Sequence, residues 1–100
     1  MPITSNTNGN TVNIVISGRF DFSVHKEFRD SYSGTQSGSA TEFIIDMSQT
    51  EYVDSSALGM LLLLREHAGS DQANVTIKDC QSDVKDILIV SNFDKLFTIS

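Results

Sequence analysis

Asp54, Ser55 and Ser56 set a carboxylate and two hydroxyls directly ahead of Ala57-Leu58-Gly59 and a leucine-rich stretch. Hydroxyls at such a junction can accept a phosphoryl group. The spacing predicts that a helix begins there, and a helix start leaves backbone amides unpaired at the positive end of the macrodipole. Those amides suit a small polar side chain or a phosphate. On spacing alone two readings stay open. One is helix capping by Asp54 or Ser55, worth typically about 1 kcal/mol. The other is a phosphoryl acceptor on a switch protein that does no catalysis itself. Neither serine has Glu or Gln three residues on, so a capping box is absent.

Other site chemistries find little support. A nucleophilic serine needs a base within hydrogen-bond reach and a third group to orient it. His67 lies on the same predicted helix, roughly 17 Å from the serines by helical rise. His25 falls on another helix without an obvious orienting carboxylate, so both histidines are expected at the surface. No Gly-rich phosphate loop and no metal-ligand cluster appears, which leaves cofactors and metals without a site. Cys80 is the single cysteine; beside Val75 and Ile77 it is expected to be a buried structural thiol.

The 100 residues carry a formal charge of −6, with seven Lys and Arg spread along the chain. That argues against nucleic acid as a partner, since phosphate neutralisation needs clustered cations. The N-terminus has neither the charged start nor the apolar run of a signal peptide. The longest unbroken apolar run, Met60 to Leu64, is far short of the roughly 20 residues that span a bilayer. Direct membrane insertion is therefore not expected, and a cytoplasmic setting is.

The elements that would position the serines follow from periodicity. Ile3 to Thr7 and Thr11 to Ser17, joined by Asn8-Gly9-Asn10, predict a hairpin with Val12, Ile14 and Ile16 on one face. Gly18 to Asp21 should break the second strand. Ser23 is the expected N-cap of a helix to Tyr32, striped by Val24, Phe28 and Tyr32. Ser33 to Thr41 is small and polar, a loop. Phe43-Ile44-Ile45 with Met47 predicts a short central strand, apolar on both faces. A helix from Asp54 or Ser55 to about Ala68 should stop at Gly69. A strand over Asn74 to Lys78, a helix capped by Ser82 that ends near Asn92, and a possible last strand complete the order. Strand, helix and strand in succession imply a parallel crossover. The fold class is thus α/β: one domain over residues 1–100, a mixed four- to five-stranded sheet with about three helices against it.

The second helix is apolar on more sides than a sheet alone requires. Ala57, Leu61, Leu64 and Ala68 share one arc, Met60 borders it, and Leu63 lies nearly opposite. Either a neighbouring element buries this surplus, or it forms an exposed partner patch centred on Met60 and Leu63. Gly59 costs about 1 kcal/mol in a helix interior relative to Ala, which close approach of another backbone, from a strand or from a partner, would justify.

Asp54-Ser55-Ser56-Ala57-Leu58-Gly59, preceded by Phe43-Ile44-Ile45-Asp46-Met47 and Tyr52-Val53, resembles the STAS family of anti-sigma factor antagonists. Gly18-Arg19-Phe20-Asp21 is similar to that family's Gly-x-Leu-Asp element, and Val84-Lys85 through Phe97 to its late helix and loop. The resemblance spans nearly the whole chain. Ala57 departs from the usual Gly, and the chain stops soon after the last predicted strand, where the family commonly adds a helix. The resemblance implies partner switching. The unmodified protein would bind a serine protein kinase that doubles as an anti-sigma factor, or a related regulator. Phosphorylation of Ser55 (alternatively Ser56) would release it, and a metal-dependent serine phosphatase would reverse the change. It further implies partner contacts at Asp21, Asp54, Ser55, Ser56, Ala57, Met60 and Leu63. A second role found in the family is a small subunit of a lipid-transport ABC complex that docks an ATPase through the same helix.

Overall fold

The computed structural model describes residues 3–33, 42–69 and 74–99. Five strands lie in sequential order, β1 to β5, in one sheet. β1 (Ile3–Asn8) and β2 (Thr11–Phe20) form the antiparallel hairpin, turning at Gly9 with φ +64°. A left-handed φ is nearly free for glycine and strained for other residues. β3 (Glu42–Val53) then pairs in parallel with β2, β4 (Asn74–Lys78) with β3, and β5 (Thr98–Ile99) with β4. Helices α1 (His25–Ser33), α2 (Ser55–His67) and α3 (Ser82–Val90) occupy the three crossovers.

The sheet buries one face. Val12, Ile14 and Ile16 from β2, Phe43, Ile45 and Met47 from β3, and Val75 and Ile77 from β4 are all buried. They share one core with Phe28 of α1, Leu61 and Leu64 of α2 and Leu88 of α3. The alternate residues Asn13, Val15, Ile44, Asp46 and Thr76 are half-buried on the other face. That pattern is the one expected of a sheet covered by helices on one side only.

β3 differs most from expectation. It is twelve residues long, and its buried positions are alternate, not continuous. Its register against β2 slips twice, Val15↔Asp46 being followed by Ser17↔Gln49, and Gly18↔Thr50 by Arg19↔Tyr52. Each slip inserts one extra residue in β3, a bulge that bends the strand and increases its twist. The inward spacing accordingly lengthens after Met47, to Thr50 and then Val53. Thr50 is fully buried, and its hydroxyl donates to the carbonyl of Ile16 at 2.7 Å. This satisfies a buried hydroxyl and a carbonyl where the ladder is interrupted.

Several boundaries shift for local reasons. β2 does not break at Gly18; with φ +76° that glycine takes the second irregularity, and the strand runs on to Phe20. A short 3-10 turn, Phe22–Val24, precedes α1, and its cap is Asp21, not Ser23. α3 begins after Gln81 without a side-chain cap, so Ser82 is its first residue and not its N-cap. Asn92, at φ +62°, follows the end of that helix. α2 stops as expected, with Ala68 as C-cap and Gly69 at φ +118°. The loop read over Ser33 to Thr41 lies outside the described residues, apart from Ser33 at the end of α1. Among the described residues, no helix is long and apolar enough to cross a membrane.

Candidate functional site

Parallel pairing brings the chain ends of β2 and β3 together. Phe20 stands opposite Val53, so Asp21 and Asp54 leave the sheet side by side at its carboxyl edge. Each is extended, and each caps the turn that follows it. Asp21 accepts from the Ser23 amide at 3.0 Å, and also from the Ser23 hydroxyl. Arg19 Nε donates to its other oxygen at 3.4 Å. These donors, the Ser23 hydroxyl first, hold the Asp21 carboxyl below its ordinary range. Asp54 Oδ1 accepts from the Ala57 amide at 2.9 Å, a direct N-cap of α2.

With Asp54 as the cap, Ser55 and Ser56 become the first two residues of the helix. Ser55 is exposed and Ser56 half-buried. Their roles are thereby separable: capping falls to the carboxylate, and the Ser55 hydroxyl is left on the surface beside it. Among the described residues, no His, Cys, Asp and Glu cluster able to hold a metal occurs.

α2 sorts its apolar residues cleanly. Ala57, Met60, Leu61 and Leu64, at i, i+3, i+4 and i+7, are buried. Ala57 is fully buried and Met60 only 7% exposed, whereas Leu63 is 62% exposed and Leu62 39%. Ala57 and Met60 lie on the row that faces the core, with Met60 at its margin against the groove between α1 and α2. Leu63 is a surface residue, with Leu62 as its neighbour. A Cβ built at Gly59 meets nothing within 4 Å among the described residues, so of the two expected reasons for a glycine there, approach by a partner is the one left. At 100° per residue, Ser55, Gly59, Leu62 and Glu66 line one outer row.

Three residues at the carboxyl ends of β2 and β3, Phe22, Arg19 and Tyr52, were not singled out by type or spacing. Phe22, 63% exposed, stacks on His25 with ring centroids 4.2 Å apart. The Arg19 guanidinium lies 4.1 Å above the ring of Tyr52, itself 40% exposed. An exposed Phe beside Asp21 was the available signal; the Arg19–Tyr52 contact depends on the β2–β3 register, which sequence does not display. Elsewhere, His67 is half-buried, packed near Tyr32 and Phe43. Cys80 is half-buried rather than fully buried, and burial pushes its thiol pKa up.

Comparison with known proteins gives the same outline. A STAS-domain containing protein, PA14_20770 of Pseudomonas aeruginosa (strain UCBPP-PA14), is 44% identical over 102 residues and is matched over the full length of both chains. An anti-sigma factor antagonist from Mycobacterium paratuberculosis superposes with a TM-score of 0.76 at 14% identity, over 97% of this chain and 82% of that one. The unphosphorylated anti-sigma factor antagonist SpoIIAA gives 0.71 at 14% identity, over 98% and 86%. A sulfate transporter family protein from Wolinella succinogenes also gives 0.71 at 14% identity, over 90% and 73%. At such identities the three structures speak to the fold alone. The family model described as "Mlab, STAS domain" matches residues 3–98, and with that match the chain belongs to the STAS domain family.

Proposed function

We propose that this chain is a phosphorylation-controlled partner-switching regulator, with residues 1–100 acting as one cytoplasmic STAS module and no enzymatic activity of its own. Unmodified, it binds a serine protein kinase that is also an anti-sigma factor, or a related regulator. Phosphorylation of Ser55 by that kinase releases it, and a metal-dependent serine phosphatase restores the binding form. The observation that carries this reading is the exposed Ser55 hydroxyl in the first turn of α2, flanked by Asp54 and, across the sheet edge, Asp21.

A phosphoserine adds about −1.5 to −2 charges. At Ser55 it would join two carboxylates already at the edge. Free amides at the helix start can hold the phosphate without refolding the domain. The change is local in shape and large in charge. Farther along α2 stand Leu62 and Leu63, and Phe22 follows Asp21, exposed apolar side chains of the kind that anchor a docked protein. New charge among such contacts opposes docking through desolvation and through repulsion of acidic groups on the partner. Asp21, Asp54, Ser55, Ser56 and Leu63 remain the proposed contacts from the original set.

A second reading, a STAS subunit of a lipid-transport ABC complex that docks an ATPase, draws on the same exposed Leu62 and Leu63. Genome neighbours separate the two: kinase and phosphatase genes favour the switch, permease and ATPase genes favour transport. The direct test of the acceptor is incubation of the protein with native extract and ATP, then phosphopeptide mass spectrometry. Phosphate on Ser55 is expected. Phosphate on Ser56 alone refutes the assignment, and modification of neither serine refutes the switch.

A further inference from the structure

We propose that the groove between α1 and α2 binds an amphipathic anion, a single carboxylate head on a short acyl or aryl body. The groove holds about 450 Å³, within the range of small-molecule sites, which pair an apolar lining with a few convergent polar groups. Phe28, Tyr32, Met60 and Leu63 supply the apolar lining. His25, Arg29 and His67 supply the polar groups, all of them nitrogen donors or potential cations.

That composition runs against the chain as a whole, whose formal charge is −6. An adjoining cavity of about 360 Å³ shares His25 and Arg29 and adds Lys26 and Asp30. Cationic side chains therefore continue along α1 past the apolar lining, where an anionic head can lie while its apolar body fills the groove. A guanidinium matches a carboxylate through two parallel hydrogen bonds. The carboxylate of Asp30 disfavours a doubly charged head, which selects a carboxylate over a phosphate monoester. Arg29 also acts electrostatically on the phenol of Tyr32, whose pKa burial raises. The site stands on the geometry of the two helices and does not depend on Ser55 being phosphorylated.

The test is backbone-amide NMR on the isotope-labelled protein with three probes: sodium octanoate, 1-octanol and inorganic phosphate. Octanoate is expected to give saturable shifts at groove residues of α1 and α2. Octanol should shift the same residues with about tenfold weaker affinity, and phosphate should shift none of them. Arg29→Glu, a change at an exposed side chain, should weaken octanoate about tenfold or more while its spectrum stays that of the folded protein. Absence of saturable octanoate shifts, shifts confined to another surface, octanol binding as tightly as octanoate, or unaltered octanoate affinity in Arg29→Glu would each overturn the proposal.

Discussion

Gly59→Ala separates folding from docking in one substitution. Glycine in a helix interior is about 0.8–1.0 kcal/mol worse than alanine, and the gain measured in proteins, partly through the unfolded chain, is about 0.4–1 kcal/mol. The gain is realised only where the new methyl group fits. Here it does, since among the described residues nothing lies within 4 Å of the built Cβ. For a domain of 60–100 residues, 1 kcal/mol corresponds to roughly 4–8 °C in Tm. Gly59→Ala should therefore raise Tm by about 2–8 °C in a calorimetric or circular dichroism melt. An unchanged or lower Tm would refute the reasoning, because it would mean that the methyl group meets something. The same methyl group stands on the outer row between Ser55 and Leu62. If a partner's backbone closes on that row, Gly59→Ala lowers partner capture while it stabilises the fold. Full capture by the stabilised variant would remove Gly59 from the docking face.

The Asp54 cap gives a graded outcome: Asp54→Ala loses the bond to the Ala57 amide and about 1 kcal/mol of stability, whereas Asp54→Asn keeps an acceptor oxygen and loses less. Equal melting of Asp54→Ala and the unaltered protein would contradict the cap. Asp21 has its folded pKa lowered from 3.8 by Ser23 and Arg19. Its contribution is therefore present above the unfolded pKa and is lost as pH falls through the folded value. Asp46, lowered by the Ser48 amide, acts with the same sign. Stability should hold from neutral pH down to about 4 and decline below it, and carboxyl NMR should show Asp21 titrating below 3.8 and moving up in Ser23→Ala. An Asp21 titration unmoved by Ser23→Ala would exclude that hydroxyl as the cause.

Much of this fold can be read in the sequence because local chemistry and tertiary structure agree. Asn8-Gly9-Asn10 marks the hairpin, Asp54 and Gly69 bracket α2, and the alternation over Asn74 to Lys78 gives β4. The departures arise where a residue's role depends on a distant strand. Thr50 points inward only because bulges in β3 change its phase, and its partner is the Ile16 carbonyl. Asp21 takes the cap position from Ser23 because β2 continues through Gly18 and delivers the carboxylate to that place. Met60 and Leu63 are equally apolar, and only the facing of α2 separates the core residue from the surface one. The candidate serine itself was legible, since a hydroxyl pair behind an aspartate needs only a helix start to acquire meaning.

The most direct examination of the switch is affinity for the cognate partner, recovered from native extract on immobilised protein and then titrated against Ser55→Ala and Ser55→Asp. Tight binding by Ser55→Ala and a large loss for Ser55→Asp are predicted, with enzymatically phosphorylated protein matching the latter. Equal affinities across all three forms would contradict the claim that charge at this helix entrance governs docking.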